Sequence, residues 1–170
     1  FDVSPEWSHI AVAVGADGIA YGYYDKGNIS ITFNGNIGTY NRTGRIAIGN
    51  ATTGNAGSNA DIHDLRVWNI VKNESEITQG MEKSYLGVES TLKHYWRMDE
   101  AQGTTATDIK GGLTATLNGA TWALTHTGTA LSLPLGSNLQ IPAGQIAYSK
   151  NQDFSIEMWF KGGMQTNATL

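Results

Sequence analysis

Apolar and polar residues alternate over short stretches along most of this chain. In residues 7–15 the alternation sets Ile10, Val12 and Val14 on one face and Trp7, His9, Ala11 and Ala13 on the other, the two-residue period of a β-strand. Both faces are apolar enough for the strand to lie inside a sandwich. Residues 19–24 and 29–33 continue the pattern, parted by Asp25-Lys26-Gly27-Asn28, whose glycine and asparagine tolerate the positive φ of a hairpin turn. Further strands are predicted at 45–49, 62–69, 93–99, 115–117, 130–135, 139–142 and 154–161, with Gly-, Asn- and Ser-rich loops between them. One helix interrupts the series. Asn73-Glu74-Ser75-Glu76 is a capping box, with Asn73 as cap and Glu76 returning to its backbone, and Ile77 and Met81 follow on one face. Residues 87–90 reset the pattern before the aromatic-rich stretch His94-Tyr95-Trp96-Arg97-Met98. The predicted fold is all-β, an antiparallel β-sandwich with one short helix.

Composition agrees with that fold and narrows the partners. Charged residues are only 15% of 170 and glycine reaches 21, so the polar surface comes mainly from Ser, Thr, Asn and Gln, the profile of a turn-rich β-protein. A net charge of -4 leaves no basic footprint for nucleic acid or anionic lipid. No apolar run approaches the ~18 residues of a membrane helix, so membrane insertion is not expected. Cysteine is absent, which removes disulfide staples, thiolate metal sites and thiol catalysis. The N-terminal Phe1-Asp2-Val3 carries neither a signal-peptide pattern nor an initiating Met, and suggests a fragment.

Four blocks carry a family resemblance. Ala60-Asp61-Ile62-His63-Asp64-Leu65-Arg66-Val67-Trp68-Asn69, followed by the capped helix, resembles the closing signature G-x-I-D-E-V/L-R-I/V-W-N of bacterial laminin-G-like, concanavalin A-like jelly-roll domains. The stretch from Tyr95-Trp96-Arg97-Met98-Asp99-Glu100 through Asp108 to Thr121-Trp122 is similar to the opening signature of the same family. Trp7-Ser8-His9-Ile10-Ala11-Val12 resembles its mid-domain strand, and Asp153-Phe154-Ser155-Ile156-Glu157-Met158-Trp159-Phe160-Lys161 a strand that normally comes earlier. The usual order is reversed. The resemblance implies that residues 1–88 are the C-terminal half of one domain and residues 89–170 the N-terminal half of the next, a window cut out of phase from a tandem array. Two separate half-domains, or closure of the two halves on each other as one permuted sandwich, both remain open at this point.

Relatives of this fold include glucanases, which aim three carboxylates into one cleft from an E-x-D-x-x-E strand. Here Glu157 stands with Trp159 where the next carboxylate would be. Asp99 and Glu100 are adjacent, and Asp61 and Asp64 lie an odd number of positions apart, so strict alternation would send the members of each pair to opposite faces. There is no G-x-S-x-G elbow, and His9, His63, His94 and His126 fall in unrelated segments. The sequence therefore reads as non-enzymatic. Calcium is the cofactor the resemblance offers, with Asp108 and Asp64 as candidate ligands, although the loop Asp108-Ile109-Lys110-Gly111-Gly112-Leu113 is shorter than the family's and carries a lysine. Trp7, Trp68, Trp96, Trp122 and Trp159 lie in strand motifs and are expected in the core. Tyr21, Tyr23, Tyr24 and Tyr40 are the candidate ligand-binding patch, and Arg66 is expected to pair with Asp64 or Glu100. N-x-S/T sequons begin at Asn28, Asn41, Asn50, Asn73 and Asn167, and are discounted because the cysteine-free motifs resemble the bacterial branch. The expected function is a non-catalytic adhesive or carbohydrate-binding module of a secreted or cell-surface repeat protein. Its expected partners are a glycan or cell-surface protein and neighbouring repeats of the same polypeptide. A spacer in a surface stalk, or an accessory domain of a polysaccharide-degrading enzyme, are the alternatives.

Overall fold

The computed structural model describes residues 6–25, 31–33, 46–50, 59–125, 128–146 and 152–162. Among these, twelve strands and one helix run in the order β1 (Ser8–Val14), β2 (Ala20–Tyr24), β3 (Ile31–Phe33), β4 (Ile46–Gly49), β5 (Ala60–Trp68), α1 (Glu74–Gly80), β6 (Leu92–Trp96), β7 (Thr105–Thr107), β8 (Thr114–Asn118), β9 (Thr121–Thr125), β10 (Gly128–Leu133), β11 (Asn138–Ile141) and β12 (Phe154–Gly162). They form two antiparallel sheets. The larger has the order β3-β2-β1-β12-β5-β10-β9, with β6 also pairing β5, and the smaller has the order β4-β11-β8-β7. The all-β sandwich read from the alternation is the observed architecture.

Strands from residues 1–88 and 89–170 interleave in both sheets. β12 lies between β1 and β5, and β11 between β4 and β8. Strands of the two spans thus hydrogen-bond to each other in both sheets.

The core lies between the sheets. Ile62, Leu65 and Val67 of β5 and Leu131 and Leu133 of β10 pack against Ala115 and Leu117 of β8 and Leu139 and Ile141 of β11, with Trp96 and Met98 closing one end. Full burial of each such aliphatic side chain is worth about 1.5–3 kcal/mol over exposure. The helix starts where its cap dictates: Glu76 N–H donates to Asn73 Oδ1 at 3.0 Å and Asn73 N–H to Glu76 Oε2 at 2.8 Å. Its one buried stripe, Ile77 continuing to Met81, fastens it to the sheet.

Two strands, β7 and β9, escape the hydrophobic pattern. Each is the terminal strand of its sheet and half-exposed, and β7 buries only Ala106 between two exposed threonines. The predicted strand 93–99 stops at Trp96, because Met98 takes φ 62° and turns the chain out of the sheet.

Candidate functional site

The outer face of the larger sheet, turned away from the apolar core, carries the polar chemistry. Cross-strand register aligns His9, Trp159 and His63 in one row over β1, β12 and β5, and Ala11, Glu157 and Arg66 in the next. Strict alternation along β5 could not place His63 and Arg66 on the same side, since they are three positions apart. A β-bulge makes it possible. Pairing between β12 and β5 slips between Glu157 and Trp159, and Asp64 sits in the left-handed region at φ 55°. Aspartate visits that region at less cost than most residues, and one extra residue shifts the parity of every side chain beyond it. Consequently His63, Arg66 and Trp68 all face outward while Ile62, Leu65 and Val67 face the core.

Beneath α1 this face buries a compact set of ions. Glu157 is 1% exposed and Arg66 0%. Glu157 Oε1 accepts from Trp68 Nε1 at 2.8 Å and from Lys72 Nζ at 3.0 Å, with Arg66 Nη1 at 3.7 Å. The Arg66 guanidinium also donates to the carbonyls of Gly80 and Lys83, pairs with Asp64 at 3.3 Å, and lies over the rings of Tyr85 and Tyr95. Burial lowers the Lys72 ammonium below its ordinary value, although the Glu157 charge and hydrogen bond work to raise it. His9, buried beside Glu157, is pushed down to about 4, chiefly by desolvation. Ser155 ties the connection into α1 to β12, accepting from the Lys72 N–H and donating to the Ile70 carbonyl.

Where the helix ends, the face opens into a groove of about 310 Å³ lined by Trp7, His63, Asp64, Trp159 and the 81–84 segment. The rings of His63 and Trp159, cross-strand partners, stack nearly parallel, 13° apart with centroids at 6.0 Å. Trp7 stands edge-on to His63 at 68° and 4.7 Å. The Trp159 indole N–H is fixed to the Met81 carbonyl at 3.1 Å, so the ring cannot rotate freely. Asp64 closes one end. Its Oδ1 accepts the Tyr95 hydroxyl, and its Oδ2 lies 3.3 Å from both His63 Nδ1 and Arg66 Nη2. Burial acts to raise this carboxyl, but the His63 hydrogen bond, the Arg66 charge and the Tyr95 hydrogen bond outweigh it and leave it below the ordinary value. The same contact, added to burial, drives the Tyr95 phenol up to about 12.

The candidate calcium pair is not brought together as a ligand set. Asp108 and Asp64 hold opposite ends of Tyr95, its backbone N–H and its hydroxyl respectively. Asp108 Oδ1 accepts the N–H groups of Tyr95, Lys110 and Gly111, and its Oδ2 lies 2.6 Å from His94 Nδ1, so the carboxylate pins its own turn. Burial would raise the Asp108 carboxyl, and these donors together hold it low. Among the described residues, no three His, Asp or Glu side chains converge as a metal site.

The tyrosine patch divides. Tyr21 and Tyr23 stand beside Ala13 and Ala11, whereas Tyr24, adjacent in the strand, turns to the other face and meets Ser8 Oγ at 2.9 Å; Tyr40 lies outside the described residues. Of the tryptophans expected in the core, Trp68 and Trp96 are buried, whereas Trp7, Trp122 and Trp159 are partly exposed. Arg66 pairs with Asp64, as expected, and also with Glu157; Glu100 instead caps the Thr107 N–H. His126 is outside the described residues.

Family models, curated proteins and solved structures all fail to match this chain.

The groove residues that sequence reasoning did not assemble are Trp7, His63 and Trp159. One signal pointed to them. Trp7 shares strand parity with His9, and Trp159 shares it with Glu157 and Ser155, so each lies on the face bearing polar side chains.

Proposed function

We propose that this chain is a non-catalytic module that holds carbohydrate in the groove formed by Trp7, His63, Asp64 and Trp159. The observation that carries this reading is a partly exposed lining of three aromatic rings, Trp159 held by the Met81 carbonyl and stacked on His63 with Trp7 edge-on to it, beside an ionised carboxylate. Sugar rings present C–H faces that pack on indoles and hydroxyls that donate to carboxylates, and sites for small ligands are typically apolar with a few placed polar groups. The one carboxylate of strand β12, Glu157, is sealed beneath α1 among Trp68, Lys72 and Arg66, which suits a structural part better than catalysis. The laminin-G-like resemblance adds the context, a repeat of a secreted or cell-surface adhesive protein.

A glycan array probed with the labelled chain tests the proposal. Retention of at least one glycan class, reduced at least tenfold in both Trp7→Ala and Trp159→Ala, is the expected result. If no glycan is retained, the reading fails and a spacer role in a surface stalk takes its place.

A further inference from the structure

We infer that the groove selects neutral mono- and disaccharides over uronic-acid-bearing sugars of the same size, with Asp64 as the discriminating residue. This rests on the carbohydrate reading and specifies its ligand. Size comes from the cavity: about 310 Å³ is at the small end of ligand sites, which run from roughly 300 to 1,000 Å³. That admits the end of a chain rather than a long stretch of it.

Selectivity comes from the hydrogen-bonding character of the end wall. An ionised carboxylate accepts and cannot donate, and it offers about four lone-pair sites. Three donors from the protein reach Asp64: the Tyr95 hydroxyl at Oδ1, and His63 and Arg66 at Oδ2. One of about four lone-pair sites is thus left over on a carboxylate whose side chain is 22% exposed and lines the groove, and it can accept a ligand hydroxyl. The donors that hold Asp64 also keep it ionised at neutral pH.

A sugar hydroxyl completes this arrangement, whereas a uronate sets acceptor against acceptor in a partly desolvated site. Lys83 lines the groove and is the obvious counter-attraction, but its side chain is exposed on a rotatable stem, where screening weakens it. The Arg66 guanidinium is buried and already spent on the Gly80 and Lys83 carbonyls and on two carboxylates. The fixed acceptor outweighs the mobile cation.

The test titrates the whole chain, by tryptophan fluorescence, with neutral gluco-, galacto- and manno-disaccharides, their uronic acid counterparts and the methyl esters of those acids. At least one neutral sugar is expected to bind, its uronate at least tenfold more weakly, and the methyl ester within about threefold of the neutral sugar. In Asp64→Asn, whose amide can donate and which tolerates the left-handed backbone, the gap should shrink to about threefold. A uronate that binds the native chain as tightly as its neutral counterpart, or an ester as weak as the free acid, overturns the selectivity while leaving the groove reading intact. Failure of every sugar overturns both. The ester comparison stands even if the Asp64→Asn chain does not fold.

Discussion

Within β5, Ile62, Leu65 and Val67 meet only apolar neighbours across the sandwich, whereas Arg66 and Trp68, on the reverse side of the same strand, meet Glu157, Lys72 and two tyrosine rings under a helix. Both faces exclude water, by different means. The inner face needs only volume and shape, so its stability is spread over many contacts of similar worth. The outer face needs every ion compensated, since a charge left alone in that environment costs far more than a lost methyl group. The consequence is an uneven distribution of importance. On the inner face the burden is shared among many side chains, and on the outer face Glu157 is, among the described residues, the one carboxylate that meets both Lys72 and Arg66.

Substitutions can break this contrast. Glu157→Ala leaves Lys72 and Arg66 sharing a buried site without their common anion and is expected to cost about 3–5 kcal/mol in urea unfolding. A loss below about 1 kcal/mol would mean that the outer face tolerates change as the inner one does. Next in size is the response to acid. His9 titrates near 4 in the folded chain against an ordinary 6.5, so between these values the unfolded chain binds the extra proton. Stability contributed by neutral His9 is complete above pH 6.5 and drains away as pH falls toward 4, by about 3 kcal/mol. The lowered carboxyls of Asp64 and Asp108 contribute with the same sign in a lower window, their stability being lost as pH falls near and below the ordinary 3.8, so the two effects separate along the pH axis. His9→Leu should flatten the slope between pH 6.5 and 4 in pH-dependent unfolding, and an unchanged slope would assign it elsewhere. Smallest is Lys72→Met, expected to cost less than about 1 kcal/mol. Methionine refills the volume of the lysine stem, and Glu157 keeps Trp68 and Arg66. A cost equal to that of Glu157→Ala would show that the cluster is one indivisible unit.

The same contrast explains what could be read from the sequence. Alternation located β1, β10 and β12, whose inner faces repeat apolar residues every second position, and also β2 and β5, although in β5 the repeat is broken between Ile62 and Leu65 by the bulge. It also gave the helix, whose capping box is local chemistry between Asn73 and Glu76. Alternation failed for β7 and β9, edge strands that bury too little to leave a pattern. It failed in a more instructive way at Asp64. No glycine or proline marks the bulge there, so parity counting, which set Asp61 and Asp64 on opposite faces, carries no sign that the fold gathers His63 and Asp64 at one groove. The groove was illegible for a further reason. Trp7, His63, the 81–84 segment and Trp159 are joined by strand register and helix packing, which are not properties of any one segment. The expectation that all tryptophans serve the core followed from their strand motifs and overlooked that Trp7 and Trp159 share parity with polar residues.

The most direct test of the aromatic groove uses the five indole N–H signals in a nitrogen-15 spectrum of the chain, recorded as a retained glycan is titrated in. The signals of Trp7 and Trp159 are expected to move with a common saturation curve, while those of the buried Trp68 and Trp96 stay in place. Saturable shifts confined to Trp122 or to the backbone of Tyr21 and Tyr23, with Trp7 and Trp159 unmoved, would contradict it.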